Sequence, residues 1–223
     1  PSVNESMGDF FVNELGQIRF GLNAIKGTGG AAVGDIIIER EENGVYTDFF
    51  DFAKRVNLRT VNKKTFESLA LAGGFDCFED IHRAQFFHEE NGTTYIETAI
   101  KYGARLKAEE ETTQQSLFGG DASSAAIMAP QPPNVDHWPD IKKLKLEKEV
   151  IGIYISGHPL DNHKLVIDFF GKGKLTDLET ITEDMNGKEY ALAGIVTSAN
   201  HLLSKAGKQF GSFEMEDYHG GYK

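Results

Sequence analysis

Apolar and polar positions change their spacing several times along the 223 residues. Phe10–Leu22 (FFVNELGQIRFGL) alternates weakly about Gly16, which predicts a short β-hairpin. Leu22–Lys26 predicts one helical turn. After a glycine-rich stretch, Ala31, Ala32, Val33, Ile36 and Ile37 share one face of a helix that should end near Glu41, with Asn43-Gly44 as its stop. Phe49, Phe50, Phe52, Ala53 and Val56 predict a second short helix. Val61–Ala72 predicts a third, with Phe66, Leu69 and Ala70 inward and Gly73 at its C-terminal cap. Ile81–Ala108 reads as further helix interrupted at Asn91-Gly92, and Ile141–Ile151 as another helix. Beyond Asn186-Gly187 the pattern turns to strand: EYALAGIVTSANHLLS, a turn at KAGK, then QFGSFEMEDY. Phe210 and Phe213 in the second strand are expected in a core, the alternative being an exposed stacking platform. No repeat of 20–50 residues is visible beyond a weak helix–Gly–helix doublet at 22–40 and 61–80.

The fold class expected is mainly α, a helical unit followed by the start of an all-β segment. Between them, 109–133 shifts to Glu, Thr, Gln, Ser, Gly, Ala and Pro, the composition of a linker or mobile loop. The boundaries expected are therefore 1–108 helical, 109–133 loop, 134–180 helical connector and 181–223 strands.

Composition adds limits. Hydrophobic residues make up 40% and charged residues 26%, enough apolar material for a core in one or two domains. No apolar run approaches a membrane span and no signal-peptide pattern opens the chain, so no membrane partner is expected. The single Cys77 cannot close an internal disulfide, which makes a reducing cytoplasm the expected location. The chain opens on Pro1 and stops just after a strand-like run, as an internal piece of a longer polypeptide would. A net charge of −11 argues against a general coat of affinity for nucleic acid. The charge is uneven, however: AKRVNLRTVNKK carries Lys54, Arg55, Arg59, Lys63 and Lys64 without an acid, whereas Glu39–Glu42 and Glu109–Glu111 are acidic runs.

The stretch AIKGTGGAAVGDIII (Ala24–Ile38) has three readings. Gly27-x-Gly29-x-x-Ala32 matches a permissive dinucleotide-binding string, which needs a buried strand before it; Asn23 and Lys26 are poor strand residues there. A plain helical corner needs the glycines only for positive φ. A helix-hairpin-helix uses them to bring backbone close to DNA. The amides opening the second helix then face a phosphate, favoured by the helix dipole, and hold the strand without reading its sequence. In that reading Lys26, Gly27, Thr28, Gly29 and Gly30 form the grip, and the nearby Lys54, Arg55, Arg59, Lys63 and Lys64 add cations. The middle position, usually apolar, is Thr28, which predicts looser packing of the turn.

In TTQQSLFGG, Gln114, Leu117 and Phe118 offer an amide and two apolar anchors in a polar surrounding. One reading is a loop anchored to the core; the other is a short peptide that docks on another protein. The seven histidines show no ligand cluster, so no metal or catalytic residue is assigned; His158 in SGHPLD is expected to fix a turn.

Taken in order, these segments resemble the alpha-subunit family of bacterial DNA polymerase III, the replicative polymerase. IRFGLNAIKGTGGAAVGDIIIER resembles its first helix-hairpin-helix, FFDFAKRVNLRTVNKKTFESLALAGGFD the segment after it, QSLFG its internal sliding-clamp site, and LEKEVIGIYISGHPLD the stretch beyond. The strands from Glu189 resemble the start of the family's OB-fold. The resemblance implies duplex DNA backbone, the sliding clamp and other holoenzyme subunits as partners, with single-stranded DNA at the OB-fold. It also implies that nucleotidyl transfer and its Mg belong to a palm domain that nothing here matches, so that this segment binds, without a cofactor of its own, and does not catalyse.

Overall fold

A computed structural model describes residues 1–115, 128–171, 173–180, 182–183 and 186–222. The chain divides into two compact units, Pro1–Tyr154 and Ile155–Lys223.

The first unit opens with the expected hairpin, β1 (Phe11–Val12) against β2 (Ile18–Arg19), turned at Gly16. A 3₁₀ turn at Leu22–Ala24 leads into the glycine stretch and then α1 (Gly30–Asn43). Helices α2 (Phe49–Arg55) and α3 (Lys63–Ala72) follow, each started by a side chain that takes up orphan amides. Asp48 accepts from the amides of Phe50 and Asp51, both at 2.8 Å, and Asn62 accepts from Thr65 at 3.1 Å. Gly73 closes α3 in the left-handed region at φ 81°, as expected.

The stretch 81–108 departs from the helix expected there. It holds a four-residue α4 (Arg83–Phe86), an antiparallel hairpin of β3 (Glu89–Glu90) and β4 (Thr93–Thr94), and then α5 (Tyr95–Gln115). Asn91 and Gly92 both take positive φ, so the interruption is a tight turn that reverses the chain. Helix α5 runs past the composition shift at Glu109, so the loop boundary expected at 109 is not where the helix ends. The run Glu109–Glu111 consists of good helix formers and continues the helix without any apolar residue.

The core is aromatic. Phe49 lies 4.6, 5.0 and 5.9 Å from the ring centres of Phe86, Phe75 and Phe66, mostly edge-on. Such pairs contribute about 0.5–1.5 kcal/mol each beyond their buried area. Helix α6 (Asp140–Ile151) adds Val150 and Ile151 to this core and packs on α3. Its buried Glu147 meets Arg83 at 2.8 Å, and Arg83 also binds Asp76 and the Leu71 carbonyl. The region taken as a 134–180 connector is thus divided: α6 belongs to the first unit, and the chain from Ile155 to the second.

In the second unit, α7 (Lys164–Phe170) precedes β5 (Ile195–Leu203), β6 (Gln209–Glu216) and β7 (Gly221–Tyr222), paired antiparallel in the order β5-β6-β7. The strands lie where the pattern placed them. Among the described residues the sheet has three strands, fewer than the five of an OB-fold barrel. Phe210 and Phe213, three apart, fall on opposite faces of β6 and are about half exposed rather than in a core. His158 does fix a turn: its Nδ1 accepts from the Leu160 amide at 3.2 Å, and Asp161 accepts from the His158 amide and from the Tyr218 hydroxyl.

Candidate nucleic-acid interface

The glycine stretch lies between α3 and the C-terminal end of α6. Gly27 has φ 92°, a conformation that L side chains rarely adopt. It also lies directly over the Lys64–Ser68 turn of α3: a Cβ at Gly27 would overlap the Ser68 hydroxyl and press on the Lys64 side chain. Ser68 is fully buried and, among the described residues, its hydroxyl has no partner. The Lys26 amide donates to the Val150 carbonyl at 2.8 Å, which fastens the turn to α6.

Thr28 tightens the turn instead of loosening it. Its hydroxyl lies 2.8 Å from both the Leu22 and Ile25 carbonyls, to which it donates. A threonine does here with a hydrogen bond what an apolar residue would do by packing.

Beyond Thr28 the backbone is open. Among the described residues, side chains built on Gly29 or Gly30 would meet nothing within 4 Å. Unlike α2 and α3, α1 has no side-chain cap among the described residues. Among the described residues the amides of Gly29, Gly30 and Ala31 take no protein partner. Three outward donors, the positive end of a 14-residue helix and two exposed lysines, Lys26 and Lys64, therefore share one edge. This arrangement can hold an anionic oxygen.

The other expected cations divide. Arg55 faces inward: it binds Glu39 at 3.0 Å and Asp51 at 2.9 Å, donates to the Gly44 carbonyl at 2.7 Å, and lies 4.6 Å from the Tyr46 ring centre. Burial works against its charge, and the two carboxylates outweigh burial and raise its pKa. Arg55 thus closes the end of α1, its charge shared with two carboxylates. Lys63 pairs with Glu97 at 2.9 Å and with Glu67, and its hydrogen bond draws the Glu97 carboxyl down to about 2. Its ammonium thus lies between two carboxylates on the surface of the first unit. Lys54 is partly buried on α2, and Arg59 is exposed on the loop that binds Asp35 of α1 through Asn57 and Thr60. Sequence reasoning missed the part of α6, because nothing local to Lys26 announces a partner at Val150.

The second glycine pair is used internally. The Gly73 amide donates to Ala70, the Gly74 amide to Leu69, and the Gly74 carbonyl accepts from Val3. The dinucleotide reading fails on topology: a 3₁₀ turn, not a strand, precedes Gly27. Gln114 falls in the last turn of α5, while Leu117 and Phe118 lie outside the described residues. No described helix is long and apolar enough to cross a membrane. Among the described residues no group of three His, Cys, Asp or Glu converges to hold a metal ion.

Comparison with known proteins agrees with this geometry. A family model described as a helix-hairpin-helix motif matches residues 1–86. DNA polymerase III subunit alpha of Treponema pallidum (strain Nichols) is 37% identical over 226 residues, covering 99% of this chain and 18% of that protein. The same subunit of Mycobacterium leprae (strain TN) is 32% identical over 99% of this chain, and that of Campylobacter jejuni subsp. jejuni is 30% identical over all of it, each again at 18% of the relative. The resemblance read from the motifs is therefore borne out, and the chain spans about a fifth of the length of these relatives.

Proposed function

We propose, for a chain similar to DNA polymerase III alpha subunits over 99% of its length, that it grips the duplex DNA backbone and tethers a replicative polymerase to its sliding clamp. The observation that carries the DNA half is the open edge at Gly29–Ala31, where free amides at the start of α1 stand beside Lys26 and Lys64. Such donors fit a phosphate oxygen and bind independently of base sequence. The clamp half rests on Gln114, Leu117 and Phe118 in the sequence. Two modest attachments to one duplex-encircling assembly raise effective concentration, which multiplies affinity by about 10²–10⁴ where the geometry permits both. Nucleotidyl transfer and its Mg are assigned to the remainder of the polymerase, and single-stranded DNA to the β5-β6-β7 unit as the start of an OB-fold. Other holoenzyme subunits complete the set of partners, in a cytoplasmic setting.

The test of the DNA half is duplex titration at several salt concentrations. A grip on about two phosphates predicts a slope of log affinity against log salt near −2. Affinity indifferent to salt, or unchanged by Lys26→Glu, defeats it. For the clamp half, equal binding of purified sliding clamp by the unaltered chain and by Leu117→Ala/Phe118→Ala rules the motif out.

A further inference from the structure

We infer that residues 130–139 form a pH-sensitive strap, latched to the first unit by the stacked pair His82 and His137 while both rings are neutral and released when they take up protons. The strap, PQPPNVDHWP, has no helix or strand of its own and leads directly into α6. Three side chains of the first unit hold its carbonyls. The Tyr95 hydroxyl donates to Pro130 at 3.0 Å, the Gln85 side-chain amide to Pro133 at 2.8 Å, and His82 Nε2 to Val135 at 3.2 Å. Two ring contacts complete the attachment. The His137 ring stacks on that of His82, with centres 3.8 Å apart and planes 22° from parallel, and the Trp138 ring centre lies 5.5 Å from that of Phe87. Of these anchors only the histidine pair changes charge between about pH 5 and 8.

The latched geometry suits only a neutral His82. Its Nε2 donates to a carbonyl, so the one proton of the neutral ring sits there and a second would have to enter at Nδ1. That atom is buried and, among the described residues, has no hydrogen-bond partner. A charged N–H left there without an acceptor is costly. Once both rings are protonated, two like charges also face each other across the stack. Burial and the His137 ring, in that order, draw the His82 pKa below the ordinary 6.5, against the pull of the Val135 carbonyl.

Other charges face the strap. Asp76, Glu79, Arg83 and, from α6, Lys143 line the cavity around the two rings, and Asp136 precedes His137 on the strap itself. Arg83 is held by Asp76 and Glu147, and the Lys142 ammonium lies 5.0 Å from the Trp138 ring centre. His88, Glu90 and Lys101 line the neighbouring cavity beside Pro130 and Pro133. Among the described residues, neither His82 nor His137 is ion-paired to any carboxylate, so a proton on the pair gains no direct partner. Strap binding is therefore complete above the ordinary histidine pKa and weakens by up to about tenfold per pH unit below about 6.5. Helix α6 stays in place, because Val150 and Ile151 in the core and Glu147 on Arg83 hold it independently of the strap.

Trp138 is the single tryptophan of the chain, so its fluorescence reads the strap directly. The experiment follows its emission in the 223-residue chain from about pH 8 to 5, with far-UV circular dichroism recorded alongside. The emission should move to longer wavelength with a midpoint between about pH 5.5 and 6.5, while the helical signal persists. His88→Gln should leave that midpoint unchanged. His82→Gln, which offers the Val135 carbonyl an N–H donor but takes up no proton, should keep the neutral-pH emission throughout. Emission constant with pH in the unaltered chain overturns the strap. So does a transition that survives His82→Gln or vanishes with His88→Gln. Helical signal lost at the same midpoint means global unfolding and overturns it as well. Should His82→Gln give the long-wavelength emission at every pH, NMR of the unaltered chain decides. The His82 ring and Trp138 indole signals must then change together, with one midpoint below 6.5, and separate midpoints overturn the latch.

Discussion

Gly27 rests on Ser68. The contact joins the glycine stretch to α3 at a point where Gly27 has no room for a side chain, and it pairs a backbone at φ 92° with a buried hydroxyl that has no hydrogen-bond partner among the described residues. Position of the turn and openness of the amides beyond it follow from this seat: Gly27 lies down on α3, Lys26 is tied to α6, and the backbone at Gly29 and Gly30 is left open.

Gly27→Ala should therefore cost about 1–3 kcal/mol, from left-handed strain and overlap with Ser68 together. Ser68→Ala should be neutral or slightly stabilising, since it removes a buried hydroxyl without a partner. Urea denaturation of both variants checks this. A large loss on Ser68→Ala would mean that the hydroxyl has a partner in solution.

Lys63→Gln should leave duplex affinity within about twofold of the unaltered chain, because its charge already belongs to Glu97 and is not spent on a phosphate. Arg55→Met should instead lower stability by about 1.5–3 kcal/mol through the loss of charge-assisted bonds to Glu39, Asp51 and the Gly44 carbonyl. Parallel DNA titration and thermal melting separate the two effects. Weakened DNA binding by Lys63→Gln would show that the ion pair with Glu97 gives way to a phosphate.

Glu147→Ala should cost about 3–5 kcal/mol, since it strands the Arg83 guanidinium with one of its two carboxylates gone in a buried site. Chemical denaturation measures the loss. Hydrogen exchange at the Lys26 amide should quicken in the same variant, because α6 supplies the carbonyl that protects it.

The second unit should weaken in acid at Asp217. Partial burial works against its charge, but bonds from the amides of Leu175, His219 and Gly220 outweigh burial and hold its pKa below the ordinary 3.8. A depressed carboxylate contributes stability that is present above the unfolded pKa and is lost as pH falls through the folded one. Denaturation followed by NMR at these three residues should show stability falling below about pH 4. Asp217→Asn should be weaker at neutral pH and flat across that window.

Much of the helical unit was legible along the chain because its signals are local. Gly73 ends α3 where a left-handed cap is needed, and the face made by Ala32, Val33 and Ile36 turns inward. The glycine stretch was legible for the same reason: it sits between two short helical segments, whatever lies around it. The hairpin at Glu89–Thr94 was missed although Asn91-Gly92 marks it, because two-residue strands carry too little alternation to compete with helical periodicity on either side.

The fate of the charges was not legible. Lys54, Arg55, Arg59, Lys63 and Lys64 form one basic run in sequence, yet Arg55 answers to Glu39, Lys63 to Glu97, and Lys64 stands by Gly27. Periodicity reports which face of a segment avoids water, a property each residue carries with it. An ion pair or a bonded amide instead depends on which distant group arrives within about 3 Å. Residues 34 positions apart for Lys63 and Glu97, or at opposite ends of the first unit for Lys26 and Val150, meet only after the helices have packed.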